Sequence, residues 1–60
     1  MAQSEFLQLL ENELHLRAQP FDRAELMEWL TCMWPHVEAD PDVYFWAGQF
    51  LEAQRAEVEG

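Results

Sequence analysis

Three prolines separate three longer segments of the sequence, and each of these is long enough to form one α-helix. Proline fixes its own φ, lacks an amide hydrogen and disfavours the α region for the residue before it. Pro20 is therefore expected to end a first helix and Pro35 a second, while Pro41 suits the first position of a third. The sequence predicts an all-α fold with helices over about residues 5–18, 23–34 and 41–57.

Polar residues that suit helix capping stand before each predicted helix. Ser4 is predicted to cap the first helix and Asp40 the third, because short polar side chains accept hydrogen bonds from the free amides of a first turn. The stretch FDRAEL places Asp22 at a cap and Glu25 three residues later, which is typical of a capping box. The start of the second helix is therefore the most specific boundary in the sequence.

The predicted connections are short, about four to six residues, which favours antiparallel or steeply crossed helices. We expect a single domain over residues 1–60, built as a three-helix bundle or an orthogonal three-helix array. Tyr44 and Trp34 are expected to close the core between the second and third helices. The helical period of 3.6 residues gives a predicted core of Phe6, Leu7, Leu10, Leu14, Ala18, Leu26, Met27, Trp29, Leu30, Met33, Trp34, Val43, Ala47, Phe50 and Leu51.

Several large apolar side chains exceed what this core requires. Leu9 and Leu16 lie one heptad apart, about 120° from the centre of the main face of the first helix. Phe45 lies on the side of the third helix that is nearly opposite to its core face, and we expect it to make no contact within the chain. Tryptophan is rarely fully buried and is enriched at protein interfaces, so we add Trp29 and Trp46 to the residues that could contact a partner. These five residues predict an interface, most simply that of a twofold homodimer.

The chain carries twelve acidic residues against three arginines and no lysine, which gives a formal net charge of −9. Such a charge repels phosphate groups and anionic lipids, so we expect neither direct nucleic-acid binding nor membrane binding. An alternative hypothesis is an acidic inhibitor that mimics nucleic acid and occupies a basic groove on a nucleic-acid-binding protein. A contiguous acidic surface for that role is predicted from Glu25, Glu28, Glu38, Asp40 and Asp42.

The stretch CMWPHVEADPDVYFW holds the densest set of potential ligands and nucleophiles. Structural zinc sites use about four cysteine and histidine ligands in paired spacings, which this stretch lacks. A calcium loop starting at Asp40 fails, because Phe45 and Leu51 stand where glycine and glutamate are needed. Cys32 is predicted to lie near Glu28, whose negative charge disfavours a reactive thiolate. We therefore expect no metal, no cofactor and no catalytic site.

The chain shows no basic region before its first apolar run and no apolar run long enough to span a bilayer. Its single cysteine is typical of a reducing compartment. The sequence predicts a small, acidic, non-catalytic interaction module in the cytoplasm.

Overall fold

A computed structural model describes residues 1–59, which form three α-helices packed around one apolar core and no β-strand. Helix α1 spans Gln3–Leu16, α2 spans Arg23–Ala39 and α3 spans Val43–Glu59. The predicted all-α fold of three helices is confirmed.

Contacts between the helices define how they pack. Gln3, at the start of α1, donates to the Thr31 hydroxyl at 2.8 Å, and Arg23, at the start of α2, pairs with Glu11 in the second half of α1. Helices α1 and α2 are therefore antiparallel.

Helix α3 returns along α2 in the opposite direction. Its second half contacts the start of α2, where Gln54 donates to Glu25 at 3.3 Å. Its first turns contact the middle of α2, with the rings of Trp46 and Trp29 6.3 Å apart. Arg17, at the end of α1, also reaches the backbone carbonyl of Tyr44 in the first turn of α3, so α3 crosses the carboxyl end of α1.

Buried side chains in the part of the chain where burial is described are all apolar. Edge-to-face contacts between Phe6 and Trp34, at 6.0 Å, and between Trp29 and Phe50, at 5.5 Å, fill the spaces between helices. The predicted core face of α1 is confirmed except at its last residue. The buried set comprises Phe6, Leu7, Leu10, Leu14, Leu26, Leu30, Val37, Trp46, Ala47 and Phe50.

The predicted bounds of α1 are wrong at both ends. The Ala2 carbonyl accepts from the amides of Glu5 and Phe6, both at 3.1 Å, so the helix begins before Ser4 and Ala2 occupies the cap position. At the other end the helix stops at Leu16, and Ala18 is exposed with φ of 55°.

A Schellman motif produces this earlier end of α1. The Gln19 amide donates to the Leu14 carbonyl at 3.1 Å and the Ala18 amide to the His15 carbonyl at 3.0 Å. This pair of bonds forms only when the residue after the C-cap, here Ala18, has a left-handed backbone conformation, and that position usually holds glycine. Ala18 therefore turns the chain out of the helix and away from the core.

Helix α2 continues through Pro35 to Ala39, so the prediction that it ends at Trp34 is wrong. Proline costs about 3 kcal/mol in a helix interior, partly because it cannot donate to the carbonyl four residues earlier. The extra turn buries Val37 completely, and burying an aliphatic side chain of this size contributes about 1.5–3 kcal/mol. Packing thus offsets much of the cost of the proline.

The caps of α2 and α3 also differ from the prediction. Asp22 caps α2 as predicted, but its carboxylate accepts from the Ala24 amide at 2.9 Å, and Glu25 pairs with Gln54 instead of completing a capping box. Helix α3 begins at Val43, two residues later than predicted.

Asp42 replaces Asp40 as the residue that caps α3. Its carboxylate accepts from the Phe45 amide at 3.2 Å and its carbonyl from the Trp46 amide at 2.9 Å. Asp40 instead ends α2, because its amide donates to the carbonyls of His36 and Val37.

Besides Ala18, two further residues predicted for the core lie on the surface. Met27 is 46% exposed, because the two neighbouring helices cover a narrower stripe of α2 than its apolar residues occupy. Tyr44 is 73% exposed, and its ring lies 4.5 Å from the Arg17 guanidinium rather than against Trp34. Cation–π contact with α1 therefore takes the place of the expected core contact.

Candidate functional site

Leu9, Leu16 and Phe45, here called the surplus apolar residues, remain accessible in the folded chain. Leu16 is 82% exposed, Phe45 49% and Leu9 38%, which confirms that they lie outside the core. Phe45 does have an intramolecular contact, contrary to expectation: its ring lies edge-to-face with Trp46 at 5.0 Å. Whether these residues form an interface stays a prediction.

The two tryptophans assigned to the predicted interface have different environments. Trp46 is only 9% exposed, and its Nε1 donates to the Asp40 carbonyl at 2.7 Å, so it belongs to the core. Trp29 is half-buried, with its ring edge-to-face against Phe50. Trp29 is therefore the one of the two that offers appreciable surface to a partner.

The five carboxylates of the predicted acidic surface are all exposed, but they fall into two groups. Glu25 and Glu28 lie in the first half of α2, whereas Glu38, Asp40 and Asp42 lie at its end and in the following loop. Glu38 lies ten residues after Glu28 on the same helix, about 15 Å further along the axis. Because α2 continues past Pro35, the structure does not bring the two groups together.

Helices α2 and α3 leave a shallow groove of about 290 Å³ between them, here called the α2–α3 groove. Apolar side chains, chiefly those of Trp29 and Phe50, line it, and acidic side chains flank them. Glu25 and Glu28 come from α2, and Glu57 comes from α3. The remaining lining residues are Cys32, Ala53 and Gln54.

The three arginines pair with carboxylates outside this groove. Arg17 Nε lies 2.9 Å from Glu13, Arg55 lies 3.9 Å from Glu52, and Arg23 contacts Glu11. In the portion of the chain that the structure describes, no arginine forms an ion pair with the acids of the α2–α3 groove. The groove is thus locally negative, and the sequence pattern gave no sign of it because Glu57 comes from a distant segment.

A second, wider depression of about 740 Å³ lies between the α1–α2 loop and α3. It shares Glu25, Gln54 and Glu57 with the α2–α3 groove, so these three residues form a ridge between the two. Arg17 and Arg55 also line this depression, which therefore carries both signs of charge.

Cys32 is exposed at the α2–α3 groove and forms no disulfide. Among the side chains that the structure describes, no three of the types His, Cys, Asp and Glu come together in a set that could hold a metal ion. None of the three helices within residues 1–59 is both long and apolar enough to cross a lipid bilayer.

The chain matches no protein-family model, no curated protein and no solved structure.

Proposed function

We propose that this protein is a small, non-catalytic interaction module of the reducing cytoplasm that self-associates through the surplus apolar residues. The observation that carries the proposal is the exposure of Leu16, at 82%, beside a core that is complete without it. Leu9 and Leu16 lie one heptad apart on α1, which aligns them along one flank of the helix.

The energetic argument follows from twofold symmetry. Burying a leucine side chain contributes about 1.5–3 kcal/mol, and each contact occurs twice in an isologous dimer. The net charge of −9 opposes the approach of two chains. Added salt screens that repulsion, so self-association should strengthen as ionic strength rises.

Sedimentation of the wild-type chain and of Leu16→Glu and Phe45→Glu variants tests the proposal. We expect the wild type to sediment as a dimer at high concentration and both variants to shift towards monomer. Met27→Glu is the matched control, because it adds the same charge at an exposed apolar position on another helix. It should leave the association unchanged.

Circular dichroism of each variant checks that helical content is kept, since all three positions are exposed. A wild-type chain that stays monomeric at millimolar concentration in high salt contradicts the proposal. An equal shift in the Met27→Glu control does so as well, because charge alone would then explain it.

A second candidate function is the acidic inhibitor that occupies a basic groove on a nucleic-acid-binding protein. The exposed acids at the end of α2, Glu38, Asp40 and Asp42, support this candidate, since none of them pairs with an arginine in the described residues. Complexes of that kind lose affinity steeply as salt rises, which is the opposite of the response expected for self-association.

A further inference from the structure

We propose that the α2–α3 groove binds an arginine or lysine side chain presented by a basic segment of a different protein. This inference rests on the proposed role of the chain as a protein interaction module, and it adds the chemical class of one partner. It does not depend on self-association, because none of the surplus apolar residues lines the groove.

The apolar lining suits the hydrocarbon part of a basic side chain. Trp29 packs against Phe50 and Trp46, with ring centres 5.5 Å and 6.3 Å away, so its ring rests on the core at the edge of the groove. Lysine and arginine pack their methylene groups on apolar surfaces while the charged end stays near polar groups. Tryptophan is also the aromatic ring that attracts cations most strongly.

Acidic side chains flank this lining where the charged end of the bound side chain would lie. Glu25, Glu28 and Glu57 border the groove and form no ion pair with an arginine in the described part of the chain. Carboxylates form their strongest hydrogen bonds with cationic donors such as guanidinium and ammonium groups. The groove therefore combines an aromatic surface with carboxylates that no arginine pairs with in the described residues.

The same combination already binds an arginine elsewhere in the molecule. The Arg17 guanidinium lies 4.5 Å from the centre of the Tyr44 ring, and its Nε donates to Glu13 at 2.9 Å. Trp29 and Glu28 offer an incoming side chain equivalent chemical groups, an aromatic ring and a carboxylate.

Size and charge identify the partner as a different chain. A volume of about 290 Å³ lies just below the range of small-molecule pockets, about 300–1,000 Å³, and suits a single long side chain. A second copy of this chain is a poor donor, because it contains only three arginines and no lysine among twelve acidic residues. The occupant is therefore a basic segment of another protein.

The experiment titrates the isotope-labelled full chain with a six-residue peptide of alternating arginine and glycine, with both ends blocked, at low salt. We expect the amide resonances of Cys32, Ala53 and Gln54 to shift, and arginine methylene protons to show nuclear Overhauser effects to the Trp29 ring. A peptide with citrulline in place of arginine keeps the shape without the charge and should bind at least about tenfold more weakly.

Two charge variants separate the groove from general attraction to an acidic protein. Glu28→Gln removes one acid of the groove and should weaken peptide binding at least about threefold. Glu38→Gln removes an exposed acid from the other end of α2 and should change binding less than about twofold. Both positions are exposed, so both variants are expected to fold.

Equal weakening by the two variants overturns the inference, as do shifts centred on residues 38–42, equal binding of the citrulline peptide, or no binding at all. Sedimentation of the same samples keeps this test separate from that of self-association. Leu16→Glu should bind the peptide like the wild type. If the peptide fails to bind a chain that still dimerises, only this inference fails.

Discussion

Arg17 and Tyr44 join the end of α1 to the first turn of α3 through two contacts. The guanidinium carbon lies 4.5 Å from the ring centre, and Nη2 donates to the Tyr44 backbone carbonyl at 2.9 Å. A third contact, from Nε to Glu13, orients the guanidinium from within α1. Arg17, whose side chain is 24% exposed, thus adds polar and cation–π contacts to the apolar core that α1 and α3 share.

Replacing Arg17 with alanine should lower the free energy of unfolding by about 1–2 kcal/mol, because a cation–π contact and two hydrogen bonds are lost together. Urea denaturation at one fixed protein concentration measures the change. Arg55→Ala is the control, since its ion pair is exposed and 3.9 Å long and should cost less than about 0.5 kcal/mol. Equal losses would contradict this contribution of Arg17.

Ala18→Gly should raise the free energy of unfolding by about 1 kcal/mol. Ala18 has φ of 55°, a left-handed conformation that costs an L-residue about 1–2 kcal/mol and costs glycine little. Ala53→Gly makes the same change inside α3 and should lower stability by about 1 kcal/mol. Thermal unfolding of both variants checks the opposite signs, and a loss of stability at both positions contradicts the Schellman motif.

Pro35→Ala should stabilise the protein by about 1–3 kcal/mol, because alanine supplies the missing donor inside α2 and removes the steric conflict. Pro41 lies outside the helices, and its replacement by alanine should destabilise by about 0.4–1 kcal/mol through greater freedom of the unfolded chain. Urea denaturation distinguishes the two. A loss of stability in Pro35→Ala is incompatible with a continuous α2.

Asp42→Ala should cost about 1 kcal/mol, because its carboxylate accepts a hydrogen bond from the third residue of α3. Asp40→Ala should cost less than about 0.5 kcal/mol, since the contacts of Asp40 described above use its backbone. Denaturation curves for the pair identify the cap. A larger loss of unfolding free energy in Asp40→Ala would contradict the cap at Asp42 and would favour the cap at Asp40 that the sequence predicted.

Local signals were enough to predict most of the fold. Capping residues and helical periodicity, which depend on neighbouring residues alone, predict the three helices and the cap of α2 at Asp22. They also predict the core residues Phe6, Leu10 and Leu14. The continuation of α2 past Pro35 depends on burying Val37 against other helices, and no local pattern contains that information.

The candidate site was predictable only in part. The exposure of Leu16 and Phe45 follows from helical geometry, and the exposure of Glu25 and Glu28 from their charge. The meeting of Glu28 with Glu57 depends on the antiparallel packing of α2 and α3. That packing joins residues that are distant in the sequence, so the groove could be seen only in three dimensions.

The position of Cys32 makes the α2–α3 groove unusually accessible to spectroscopy. It is the single cysteine of the chain, it is exposed, and it lines the groove beside Trp29. A maleimide dye attached to the natural sequence would therefore report from one known place, with no engineered residue. A change in the emission of such a dye would give the groove its own optical signal, on which the arrival of a partner could be followed in real time.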